Sequence, residues 1–373
     1  MLESMKADRA LIAEKEAKII DLETRISILR KSITIAQLEK QVVLARLDSY
    51  KYPVLTLPNE IVSEIFVHFI PPYPNPPPPS GVLSPTTLTH ICRHWREIAL
   101  TTPALWRSIN AADRFGRHTP QELAALATLW LDRSAGCRVS ISATEPSPIF
   151  AALISHRSRL EHLELDAIRT WPLEVLEGPM PRLRNLLLRT PFLLPHISST
   201  PITIQDVPLL RTLTLPISTA APHPILPWAQ LTSLTFGEVH PNDCGVILQK
   251  TPDLLNLSCF LSLRQDLPTQ SIPATDIPLL RLKSLVLETD RAPEENFFQS
   301  FLVPALESLE VQEDIMAGPD SDRDAIDSLD AFIANSDCKL KTLRITEASM
   351  PWSSYRKVFP SIPEIVLDEH LFG

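Results

Sequence analysis

Glycine is scarce in this 373-residue chain, with only 8. Loops that cradle phosphate need backbone free of side chains, so few stretches here can form one. Basic charge is short as well. The formal net charge is −9, which argues against nucleic acid as a principal partner, because phosphates need a basic patch to neutralise them. The five cysteines, Cys92, Cys137, Cys244, Cys259 and Cys338, are odd in number and contain no CxxC pair. That argues against a disulfide framework and a zinc site, and for a reducing compartment. No apolar run reaches the roughly 18 residues of a membrane span, and no signal-peptide core opens the chain. The expectation is a soluble protein of the cytoplasm or nucleus, without membrane contact.

Proline is the opposite case, with 36 residues, and it predicts many short elements with stiff connections. The first fifty residues contain neither proline nor glycine. Counting in sevens there places Met5, Ile12, Ile19, Ile26, Ile33, Lys40 and Leu47 at one position. Three residues on stand Asp8, Lys15, Leu22, Leu29, Ala36, Val43 and Tyr50. Isoleucine at the first position with leucine at the second favours a two-stranded coil, and the seam is apolar from about Ile19 onward. The spacing predicts a helix over residues 1–50, either pairing with a second copy as a homodimer or folding back on its own chain.

The next stretch, "LPNEIVSEIFVHFIPPYPNPPPPSG" (residues 57–81), changes character half-way. Pro58 suits a helix start, and Ile61, Ile65 and Phe69 recur at four-residue steps with Val62 and Phe66 beside them. The prolines of 71–79 then stop the helix and hold the chain extended. Ser84 and Pro85 open a second helix with the stripe Leu88, Ile91, Cys92, Trp95, Ile98 and Ala99, which closes at Thr101-Thr102-Pro103. Such a unit, with Trp95 and Trp106, is too small to bury its own apolar surface well.

These residues resemble an F-box. "LPNEIVSEIFVHFI" and "LTHICRHWREIALTTPALWRSI" are similar to a large group of fungal F-box proteins that begin with a coiled coil; the proline insertion at 71–81 departs from the compact family pattern. The resemblance implies docking on the Skp-type adaptor of a cullin-RING ubiquitin ligase. It implies adaptor contacts from Leu57, Pro58, Ile61, Ile65, Phe66, Leu88, Cys92, Trp95, Leu105 and Trp106, in a module over residues 53–110. On the residues alone, both helices can equally be a cap on the C-terminal domain.

From residue 160 a phrase of the form Leu-x-x-Leu-x-Leu recurs. It starts at Leu160, Leu183, Leu210, Leu231, Leu254, Leu282, Leu306, Leu340 and Ile362, at intervals of 21 to 34 residues, and "CRVSIS" at Cys137 reads as a degenerate opening copy. Most of these intervals fall within the roughly 20–29 residues of leucine-rich repeats, although the consensus asparagine is missing. Alternation within each phrase predicts a strand with one face buried. Helix-like pieces lie at 121–133, 148–156, 243–250, 294–301 and 322–334. The fold class expected is α/β: a coiled-coil helix, a small helical module, then an irregular solenoid over 119–373 with a parallel sheet.

The residues between the leucines point away from the core. If that face receives a target protein, Arg189, Glu288, Glu310 and Arg344 are the expected contacts; the alternative is that they are solvated strand positions. Catalytic chemistry is not evident. His90 and His94 have the spacing of two metal ligands on a helix but lack a third, and "PDSDRDAIDSLD" lacks the glycine and closing glutamate of a calcium loop. No metal site, cofactor or catalytic residue is expected. The reading is a non-catalytic substrate receptor of a ubiquitin ligase, with a non-ligase repeat scaffold as the alternative.

Overall fold

The computed structural model describes residues 2–49, 53–71, 75–111, 118–144, 149–166, 177–189, 203–215, 225–262, 276–291, 297–317 and 325–369. The protein is mixed α/β, with a long N-terminal helix and a large parallel sheet. It divides into two compact units, Met1–Val62 and Ser63–Gly373.

In the first unit, α1 (Leu2–Ser49) is one unbroken helix of 48 residues. Nothing in its sequence interrupts the backbone ladder, since proline and glycine are absent. Its two described threonine hydroxyls, Thr24 and Thr34, bond back to the carbonyls of Ile20 and Arg30 at 2.8 and 2.9 Å. A short 3₁₀ helix, Pro53–Thr56, follows. Helix α2 (Asn59–Phe69) then crosses the division between the units.

The second unit is built on an eleven-stranded sheet among the described residues. Its strands are β1 (Ser108–Ala111), β2 (Val139–Thr144), β3 (Leu160–Asp166), β4 (Asn185–Leu188), β5 (Thr212–Leu215), β6 (Ser233–Val239) and β7 (Asn256–Leu261). A two-residue strand, β8 (Ile277–Pro278), precedes β9 (Ser284–Thr289), and another, β10 (Phe301–Leu302), precedes β11 (Ser308–Gln312). β12 (Thr342–Ala348) and β13 (Glu364–Glu369) complete the set. All sheet pairings are parallel and the order follows the chain, while β8 and β10 pair separately. The sheet therefore begins at Ser108, upstream of residue 119 where the solenoid was expected to start.

Register keeps the leucines in rows. Leu163, Leu186, Leu213, Leu234, Leu257, Leu285, Leu309 and Leu343 are successive partners across the sheet and lie at or below 2% exposure. A one-residue slip of any strand would turn its leucines outward, so this row fixes the register.

The prolines have a specific place in this repeat. Met180, Val207, Thr251, Val303 and Phe359 are buried, and each is followed by proline. Three residues after each anchor, the N–H of Leu183, Leu210, Leu254, Leu306 or Ile362 bonds back to the anchor's carbonyl at 3.1–3.4 Å. These are β-turns with proline at the second position, where its fixed φ is already correct and its missing N–H is not needed. Each turn sets a buried anchor and the first leucine of the phrase against the core.

The connections hold the helices α5 (Pro120–Arg133) and α6 (Ile149–His156), and further helices at Pro241–Leu248 and Ala325–Ser336. α5 carries the expected capping box, with Thr119 and Glu122 bonded reciprocally. The expected helix over 294–301 is a correction. Phe297–Ser300 is a 3₁₀ turn, and Phe301 and Leu302 leave it to pair with Ile277 and Pro278. Two helices went unread, Glu313–Ala317 and Trp352–Val358. The first half of the aspartate-rich stretch at 319–330 lies outside the described residues.

Candidate docking surfaces

Pro58 stands immediately before helix α2, and its carbonyl accepts from the N–H groups of Ile61 and Val62 at 3.0 and 3.1 Å. Pro58 is exposed and Leu57 half-buried. The helix sorts its apolar residues into two stripes. Val62 and Phe66, one turn apart, are 1% and 2% exposed, whereas Ile61 and Ile65, also one turn apart, are each 50% exposed. An apolar pair held outward on a well-formed helix is a surface with something to gain from a partner.

The second helix of the expected module is two helices. α3 (Pro85–Ile91) and α4 (Arg93–Thr101) meet at Cys92, whose backbone is extended at φ −153° and ψ 169°. Cys92 ends one helix and caps the next, its Sγ accepting from the N–H of Trp95 at 3.4 Å. Arg96 braces the corner by donating to the Thr89 carbonyl at 2.6 Å. The break also separates His90 from His94, which stand on different helices. Their four-residue spacing is therefore not one helical turn. Among the described residues, no group of three or more His, Cys, Asp or Glu side chains could hold a metal ion.

The remaining residues of the proposed adaptor set turn inward. Leu88 is 5% exposed, Phe66 packs edge-on against half-buried Trp95 at 5.0 Å, and Leu105 and Trp106 are fully enclosed. Trp106 donates its indole N–H to the Ala99 carbonyl at 2.8 Å, meets Trp130 of α5 edge to face at 5.2 Å, and lies 4.5 Å beneath the Arg133 guanidinium. Trp106 thus ties the segment after α4 to α5, and Phe66, Leu88, Leu105 and Trp106 are enclosed rather than lining a surface.

The proline tract has a structural task that its sequence did not announce. The Pro77 carbonyl accepts from the N–H of Asn110 on the edge strand β1, at 2.8 Å. Pro77 and Pro79 are buried, and Ser84 Oγ donates to the Pro79 carbonyl at 3.2 Å. A proline segment can satisfy an edge strand while having no N–H of its own to continue the ladder.

The second candidate surface is the half-exposed face of the sheet. Its first row reads Ser140, His162, Asn185, Thr212, Ser233, Asn256, Ser284, Ser308 and Thr342, register partners from strand to strand. The row is made of short hydroxyl and amide side chains with one imidazole. The expected contacts fall at separate places along this face. Arg189, just after β4, pairs with Glu164 at 3.4 Å. Glu288 is exposed and lies in register with Phe260. Glu310 and Arg344 are register partners at 4.0 Å, and Arg344 pairs more closely with Asp368 at 3.1 Å. Only Glu310 and Arg344 are brought together.

At the C-terminal ends of β9, β11 and β12 lies a polar network with no sequence signal, built on the buried Thr289, Gln312 and Glu313. Gln312 accepts from the Thr289 N–H at 2.9 Å and donates to Glu347 at 2.6 Å. Glu313, 6% exposed, accepts from the backbone N–H groups of Ser349 and Met350 and from Ser349 Oγ. No family model matches this chain, and no curated protein matches it. No described helix is long and apolar enough to cross a membrane.

Proposed function

We propose that this protein is a non-catalytic substrate-recognition subunit of a Skp-cullin-F-box ubiquitin ligase. Helix α2 docks a Skp-type adaptor, and the half-exposed face of the sheet receives a target protein. Rate enhancement comes from proximity, since a held target meets the charged enzyme at high effective concentration. The observation that carries this reading is the outward pair Ile61 and Ile65 behind Pro58, in a stretch that resembles the opening of an F-box. Contact then centres on Leu57, Pro58, Ile61 and Ile65, on the opposite stripe of α2 from Phe66, which packs on Trp95.

The test is binding of purified Skp-type adaptor to the full chain and to Ile61→Asp/Ile65→Asp, with circular dichroism to establish that the fold is kept. The expected result is tight binding by the wild type and a loss of about tenfold or more in the double variant. Absence of wild-type binding would sink the ligase reading. It would leave a repeat scaffold, a reading favoured by the enclosure of Leu105 and Trp106.

A further inference from the structure

We propose that α1 pairs with α1 of a second copy of this chain in antiparallel orientation, with the overlap centred between Ser27 and Ile28. This stands apart from the receptor reading. The seam residues Ile19, Leu22, Ile26, Leu29 and Ile33 are between 47% and 61% exposed on a continuous 48-residue helix. An apolar seam of this length is stable in water only when covered, and the heptad pattern matches a copy of itself.

Orientation follows from the residues flanking the seam, which set partner choice in coiled coils. In a parallel pair, Lys18 meets Glu23 of the second copy, but Arg25 meets Arg30, a like-charge contact made twice. In the antiparallel pair, Glu23 meets Arg30 and Lys18 meets Glu39, each twice by symmetry, and no like charges flank the seam. Shifting the antiparallel overlap by one heptad either way restores a repulsive contact, Glu23 or Arg25 against itself in one case and Arg30 in the other. Packing agrees with the charges. The antiparallel register sets Ile19 against Ala36, large against small, whereas the parallel one sets Ala36 against Ala36 and leaves a gap. Lys15 and Lys40 occupy two seam layers in either orientation, so they do not discriminate.

The experiment uses full-length chains carrying Leu22→Cys or Ile33→Cys, alone and mixed, oxidised with copper-phenanthroline and mapped by mass spectrometry. The antiparallel register brings position 22 against position 33, so only the mixture should give the new cross-link. Self-links at 22 or 33 in the single variants, or a monomeric mass by light scattering, would overturn the proposal. An independent measurement is the dimer dissociation constant of Arg30→Glu. Antiparallel pairing sets Glu23 against the new glutamate and predicts dissociation about tenfold easier. Parallel pairing would set Arg25 against it, so a tighter dimer would overturn the proposal.

Discussion

At the scale of residues, the shortage of glycine leaves visible marks on the backbone. Ala135, Asp337 and Glu347 adopt positive φ at 47°, 51° and 54°. Ala135 stands just past the C-terminal cap of α5, where helices commonly end in a left-handed residue and glycine is the usual choice. A side chain there costs about 1 kcal/mol or more. Ala135 is exposed, so removing its methyl costs little buried surface. Ala135→Gly should therefore raise stability by about 1 kcal/mol, read as a shift of the urea midpoint. Its neighbour Arg159 spans the same helix end, donating to Ser134 Oγ and to the carbonyls of Leu131, Ala135 and Cys137.

Two half-buried histidines, His156 beside this helix end and His162 on β3, carry a pH dependence into stability. Burial holds the His162 imidazole below its ordinary value, against the opposing pull of Glu161 and Asn185, with Arg184 adding to the depression. Burial lowers His156 too, reinforced by Arg159 and opposed by Asp132. A depressed histidine favours the neutral form in the fold, so the unfolded chain takes up its proton first as pH falls. The stabilisation is whole above about pH 6.5 and is lost as pH drops through that value toward the folded pKa. Unfolding midpoints should fall between pH 7 and 5, and His162→Gln should flatten that fall. An unchanged slope in the variant would assign the effect elsewhere.

At the scale of elements, the corner at Cys92 decides the shape of the helical module. The stripe Leu88, Ile91, Cys92, Trp95, Ile98 reads as one continuous helix, because a helix break without proline or glycine leaves no compositional trace. The break exists because Cys92 offers a side-chain acceptor to the N–H of Trp95 and because Leu88 and Ile98 must both be buried. Cys92→Ser keeps an acceptor at that point and should hold stability within about 0.5 kcal/mol, whereas Cys92→Ala should lose about 1 kcal/mol, measured by thermal unfolding. The strands were the most legible elements, since alternation over five or six residues is a local signal. The short pairing of β8 with β10 was not, because it depends on two segments some twenty residues apart.

At the scale of the whole molecule, the two units call for different modes of unfolding. The second unit buries rows of leucine within its own sheet, and its transition should not depend on chain concentration. Helix α1 has its seam exposed, so its helicity should depend on a partner and its melting should shift with concentration. Circular dichroism melts across a hundredfold range of concentration would display two transitions, of which only the one from α1 moves. A single, concentration-independent transition would contradict this.

The sequence by itself determined the uninterrupted N-terminal helix, the succession of the leucine-phrase strands and the scarcity of glycine from which a phosphate loop could be built. Each of these depends on periodicity or composition within a few turns of chain. Tertiary structure alone decided which apolar residues face out. Ile61 and Val62 are adjacent and equally apolar, yet one is 50% exposed and the other 1%. Leu105 and Trp106, expected as adaptor contacts, are both enclosed, and Trp106 packs on Trp130 of α5. The proline tract, read as a spacer, became the cover of an edge strand thirty residues downstream. Burial and hydrogen-bond partnership belong to pairs of segments rather than to one, and their sequence separation is what hid them.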